Sequence, residues 1–533
     1  MRSLPVADLS IIMLYLVSMI VVGVYFSRKN KNADQFTMAS GKIPGWAIGM
    51  SLYATFLSSN TFLGVPGKAF GSNWNAFVFS LSMPLAAWFA ARYFVPFYRN
   101  TGEVSAYSHL ESRFGPWART YAVVCFLLTQ LARMGSIFFG IALSLQALTG
   151  YSMTSIMLVV GVCIIVYTVL GGMEAVIWTE VAQGVIKTAG ALVILWLVVT
   201  QIDGGVSRIM GIGETEGKFS LGSFAPDLTQ STFWVVLLYG FFINLNNFGM
   251  DQNYVQRYHT TTSVREAARS VWLCVYLYVP VSLVFFVLGS CLYAYYQVHP
   301  DLLNEVRWQV AAERLPNQTH EAIGRLAATL STADIGDKIM PHFMVHQVPS
   351  GLLGLIIAAI MAAAMSTISS GMNASATIFL VDIYQRYIYS QTTTRQSLRI
   401  LYTATVVFGL LGIATGIAMI GIISVLDAWW LLSGIFAGGM LGLFLLGIIS
   451  RTTRGHEALI ATLVGLLVII WMTFSRYIPD QLAAFRSPFH QSMITVIGTL
   501  TIFLTGFLLT KWSVKKATST PQAVGRDEPH RQA

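Results

Sequence analysis

Residues Ala362–Ser375 read AAAMSTISSGMNAS, and Ser366, Ser369, Ser370 and Asn373 fall at i, i+3, i+4 and i+7. A helix puts all four on one face. Oxygen donors without thiolate or imidazole suit a hard cation, and the shortage of nearby carboxylates favours a monovalent ion such as Na+ over Ca2+. The other use of such a stripe is hydrogen bonding between helices. A second polar cluster lies between Ser51 and Gly64, where Thr55, Ser58, Ser59, Asn60 and Thr61 crowd an otherwise apolar run. Either these side chains bond back to the backbone and to neighbouring helices, or the helix is broken there and its freed carbonyls bind an ion and a substrate. A third, Asn244–Asn253, carries Asn244, Asn246, Asn247, Gln252 and Asn253 around Gly249 and Asp251.

Ionisable residues also interrupt the apolar runs. Arg133, in LARMGS, has a planar fork that fits a substrate carboxylate. The alternative is a structural pair with an acid, for which Glu180 is the candidate; Glu180 is equally placed to ligate an ion. Lys187, two helical turns past Glu180, either neutralises that acid or lines a polar cavity. Arg92 stands near the end of a run, where it snorkels to the interface.

The elements that must hold these groups follow from composition. Of 533 residues, 55% are hydrophobic and 11% charged, against about a quarter charged in a soluble domain; mean hydropathy is +0.63. This excludes an ordinary cytosolic enzyme, a disordered chain and a nucleic-acid-binding protein, even at a net charge of +9. Cys125, Cys163, Cys274 and Cys291 sit singly in apolar stretches, as small buried residues do. The histidines are dispersed, the nearest pair being His342 and His346, and no nucleophile–base pattern stands out, so an enzyme is not expected.

Thirteen apolar runs are long enough to be membrane-crossing helices: near 8–26, 44–65, 75–97, 119–149, 153–170, 176–200, 231–252, 271–297, 351–384, 400–424, 427–449, 455–474 and 490–511. An N-terminus outside puts Arg28, Lys29, Lys31, Arg257, Arg265, Arg269, Arg386, Arg395, Arg399, Arg451 and Arg454 on the cytoplasmic side, as the positive-inside rule requires. The organisation expected is an extra helix and loop at 1–42, a first repeat at 43–200, an outer loop at 201–230 and a second repeat at 231–449. The second repeat contains an outer loop at 298–350, in which Thr319–Ala333 forms a short amphipathic helix. Flanking helices occupy 450–511, and a disordered cytoplasmic tail 512–533.

The polar, glycine-interrupted runs at 44–65 and 231–252 lie five spans apart, and an odd offset inverts the second unit in the membrane. Paired interrupted helices of this kind point to a transporter whose site lies at the midplane. A ligand sensor without transport would need a signalling domain, and the segment after 511 is short for one. A channel would need a filter loop.

With these motifs the chain resembles the sodium/solute symporter family over roughly 8–475. The most specific segment is Ala362–Tyr384, supported by Gly171–Glu180, Gly249–Arg257 and Ala54–Gly64. The resemblance implies an all-α membrane protein with a five-plus-five inverted repeat of the leucine-transporter type, acting as a monomer in a bacterial inner membrane. It also implies a sodium ion held by Ala54, Leu57, Ala363, Ser366 and Thr367. A second ion, as in bacterial sialic acid symporters, would use Glu180, Ser366, Ser369 and Ser370, with Glu180 standing where the pattern has Asp. The same likeness implies Na+-coupled import of a small organic anion, a sialic acid foremost, or else another carboxylate or a sugar. Substrate contacts would come from Arg133, Ser58, Thr61, Phe56, Asn60, Ser80, Asn247 and Phe248, with Phe56 and Ser80 replacing the threonine and glutamine of that subfamily.

Overall fold

The computed structural model describes residues 5–27, 32–421, 425–475 and 478–519. These residues are helical almost throughout; the only strand-like contact among them is an isolated bridge between Ile43 and Thr261. Hydrocarbon offers no partner to an open backbone group, so long apolar runs close their hydrogen bonds within themselves. Ten helices among the described residues are long and apolar enough to cross a membrane.

The elements that build the centre are α1 (Val6–Ser27), the pair α2 (Gly45–Phe56) and α3 (Ser59–Gly71), α4 (Pro116–Thr149) and α5 (Met153–Thr200). They continue with the pair α6 (Phe233–Met250) and α7 (Gln252–His259), then α8 (Val264–Val298), α9 (Thr332–Gln347), α10 (Leu352–Ile378) and α11 (Thr394–Ala418). Further along lie helices Val425–Ile449, Gly455–Phe474 and Met493–Ser519.

Three breaks shape this bundle. Leu57 and Ser58 are extended between α2 and α3, and the Ser58 N–H finds the Thr61 hydroxyl at 3.3 Å. Asp251 is extended between α6 and α7 and caps α7 through the Asn253 N–H at 2.9 Å. The 48-residue α5 turns at Gly172, whose φ of 58° and ψ of −163° suit glycine alone. This is the division expected between the runs at 153–170 and 176–200.

Helix α10 is the axis, buried at every residue from Ile356 to Ile378. Its alanines let α5 approach closely: a Cβ on Gly190 would meet the Ala359 methyl at 2.5 Å. The 298–350 connection holds more order than one short helix. Helices span Pro300–Arg314 and His320–Thr329, and α9 lies on α3 where Gly67 and Gly336 meet backbone to backbone. The last helix runs on to Ser519, so residues 512–519 belong to it and not to a tail. Residues 520–533, with the rest of the expected tail, lie outside the described residues, as do Arg28, Lys29 and Lys31.

Candidate functional site

A central cavity of about 100 Å³ opens where the breaks of α2/α3 and α6/α7 face each other. Thr55, Phe56, Ser58, Asn60, Thr61, Ser80, Arg133, Asn247 and Thr367 line it, with Tyr254, Tyr278 and Ser282. The sequence-derived set Arg133, Ser58, Thr61, Phe56, Asn60, Ser80 and Asn247 is therefore brought together. Phe248 is not: it is fully buried behind the wall, where it packs on Phe56 at 5.6 Å between centroids. The aromatic surface at the cavity includes Phe56, Tyr254 at 4.7 Å from it and Tyr278 at 5.4 Å, with Phe79, Tyr239 and Phe286 also in the lining. Ser80 shares a hydrogen bond with Ser282 at 2.7 Å, and Asn60 donates to Ser136 at 3.0 Å.

Arg133 projects from α4 to the cavity wall and donates from Nη1 to Asp251 Oδ2 at 2.9 Å. Its partner is thus the acid at the second helix break. Glu180, the partner considered from sequence, is engaged elsewhere. It accepts from Arg257 Nη2 at 2.8 Å on each of its oxygens, and from the Ser51 and Ser370 hydroxyls. Arg257 also donates to Thr55 Oγ1 at 3.0 Å and to Ser370 Oγ at 2.6 Å. Glu180 and Arg257 are both fully buried. Sequence reasoning set Arg257 among the boundary cations; α7 instead carries it into the core. The available signal was the run Asp251–Arg257, polar at five of seven positions directly after an apolar run.

The oxygens expected to hold sodium converge between α2 and α10. Ser366 Oγ donates toward Ala54 O at 3.1 Å and Ala363 O at 3.2 Å, and Thr367 Oγ1 toward Thr55 O at 3.1 Å. In kind, this donor set suits a hard monovalent cation. In place, a cation from the chain already stands there: Lys187 Nζ donates to Ala54 O at 2.5 Å, Leu57 O at 2.8 Å and Ser366 Oγ at 2.8 Å. As folded, the cage fits no second cation. The neighbouring set of Glu180, Ser366, Ser369 and Ser370 is likewise met by a guanidinium, that of Arg257, while Ser369 bonds back to Ser366 O at 3.2 Å.

The cluster of charges can be counted. Arg133 with Asp251, and Arg257 with Glu180, are balanced pairs; Lys187 is held by two carbonyls and a hydroxyl, with no carboxylate among its ligands. The site therefore carries one positive charge in excess when these groups are ionised. An anion entering the cavity would offset it.

Comparisons with known proteins identify relatives of the whole chain. Residues 36–465 match the profile of the sodium:solute symporter family. The chain is 35% identical to the sodium/sialic acid symporter NanT of Aliivibrio fischeri, covering 91% of each, and 33% identical to the sodium/sialic acid symporter SiaT of Proteus mirabilis, covering 91% of this chain and 93% of that one. A solved Na+-coupled sialic acid symporter in a substrate-bound outward-open state superposes with a TM-score of 0.83 at 30% identity, over 95% of this chain and 98% of that one.

Proposed function

The chain belongs to the sodium:solute symporter family, and from that premise we propose that it imports a sialic acid, N-acetylneuraminate or a near relative, across a bacterial inner membrane. It is a multi-pass membrane transporter of the leucine-transporter fold and not an enzyme. Sodium is the coupling ion of the family. The lysine and arginine bias of the short loops supports an N-terminus outside and a C-terminus in the cytoplasm.

The observation that carries the substrate reading is Arg133, among the described residues the one charged side chain in the wall of a cavity lined by hydroxyls, amides, aromatic rings and a few aliphatic side chains. Its fork offers a carboxylate two parallel donors. The substrate carboxylate takes these in exchange for Asp251, which keeps the Asn253 N–H and side-chain amide as partners, the latter at 2.7 Å. Ser58, Thr61, Asn60, Asn247 and Ser80 address hydroxyl and N-acetyl groups, and Phe56, Tyr254 and Tyr278 cover the apolar face of the sugar ring. Free space of about 100 Å³ falls below the roughly 300–1,000 Å³ of ligand pockets. The walls must therefore part to admit the sugar and close again on it, which is the motion of alternating access about a site between two repeats.

The test is uptake of labelled N-acetylneuraminate into proteoliposomes, with and without an inward sodium gradient. Accumulation that is lost in Arg133→Ala and is competed by unlabelled N-acetylneuraminate supports the reading. Accumulation of other acids but not of N-acetylneuraminate would discard the sugar and keep the transporter.

A further inference from the structure

We propose that Lys187 is a tethered cation that fills the family's ion cage in this chain, so that its ammonium and a free sodium ion exclude one another there. Three observations meet. The cage oxygens are the carbonyls freed by the Leu57–Ser58 break together with the hydroxyls of α10. The Lys187 nitrogen lies within 2.5–2.8 Å of three of them, fully buried. The carbonyls of Ala54 and Leu57 have no proton to give, and the Ser366 hydroxyl has carbonyl acceptors of its own at Ala54 and Ala363. The nitrogen is thus the donor in all three bonds, which takes the three protons of an ammonium.

The chain brings the lysine there by design of its packing. Gly190, one turn beyond Lys187, removes the side chain that would hold α5 off Ala359, and the aliphatic stem then crosses the gap to the broken end of α2. The adjoining cage repeats the arrangement with Arg257, whose guanidinium is bonded to Glu180, Ser370 and Thr55. Two cation positions of one site are thus met by two side chains from different helices. A sodium ion brought into the first would face the ammonium across a hydrogen-bond distance, in a low-dielectric interior where like charges repel strongly. The inference rests on the identity of the cage and not on the choice of sugar.

Direct binding of 22Na+ to the purified full-length protein, without sugar, tests it. Wild type is expected to bind weakly. Lys187→Met, which keeps the length of the stem without its charge, should reach half-saturation at a sodium concentration at least ten-fold lower. Adding Thr367→Val or Ser366→Ala to Lys187→Met should abolish the gain, which would locate it in this cage. Equal binding in wild type and Lys187→Met, weaker binding in the variant, or no binding in either would overturn the proposal. Lys187→Gln serves if the methionine variant does not fold, as judged by its melting temperature. In wild type alone, tight binding that Ser366→Ala removes would also overturn it. Failure of N-acetylneuraminate uptake alongside a gain of 22Na+ binding would count against the substrate and leave this inference standing.

Discussion

The break at Leu57–Ser58 and the break at Asp251 interrupt two helix pairs beside the same cavity, yet they offer opposite chemistry. The first presents bare carbonyls; the second presents a carboxylate. Each holds a cationic side chain sent from another helix, Lys187 from α5 and Arg133 from α4. Carbonyl dipoles solvate the ammonium without cancelling its charge, whereas Asp251 cancels that of Arg133. The difference shows how a span can carry charge at depth: the partner is the unwound backbone in one case and an acid at the unwound point in the other. It also explains where the excess positive charge of the site resides.

Unbalancing a buried pair should have the largest effect. Glu180→Gln leaves the Arg257 charge buried without its acid and should lower stability by about 3–5 kcal/mol, read as a large fall in melting temperature of the detergent-solubilised protein. Glu180→Gln combined with Arg257→Gln should recover much of that loss. Arg133→Ala removes the carboxylate fork and should reduce N-acetylneuraminate uptake by more than 100-fold, about 2.8 kcal/mol at a tenfold per 1.4 kcal/mol. Arg133→Ala with Asp251→Ala should regain stability but not uptake, separating the pairing role from the binding role. Gly172→Ala forces a side chain into a conformation reserved for glycine and should cost about 1–3 kcal/mol. The smallest effect is expected of Thr61→Val, which takes the acceptor from the Ser58 N–H at the first break and should cost about 1 kcal/mol.

Much of this was legible in the sequence, for identifiable reasons. Apolar runs must be helices in lipid, so the order of the spans follows from composition. The polar clusters at 55–61 and 244–253 marked both breaks, because polar residues at such density are tolerated at depth only where they line a cavity or join helices. The i, i+3, i+4, i+7 stripe put Ser366 and Ser370 on the face that meets Lys187 and Arg257. Pairings were not legible. Arg133 stands at equal remove from any acid when only spacing is known, and the turn at Asp251 that brings this acid to it is a three-dimensional event. Arg257 follows a polar segment that reads as the end of a span, and only the break lets α7 carry it inward. Lys187 lies seven residues past Glu180 and so faces the same helices, but spacing alone does not distinguish a counter-ion for Glu180 from an occupant of the neighbouring cage. Phe248 misled because an aromatic beside a break looks like a gate; here Phe56 stands between it and the cavity.

The central claim is that Arg133 exchanges Asp251 for the carboxylate of the substrate. Calorimetric binding of N-acetylneuraminate and of its methyl ester, to wild type and to Arg133→Ala, tests this most directly. Wild type should bind the acid at least 100-fold more tightly than the ester, and Arg133→Ala should bind both weakly and alike. An ester that binds wild type as well as the acid would contradict it.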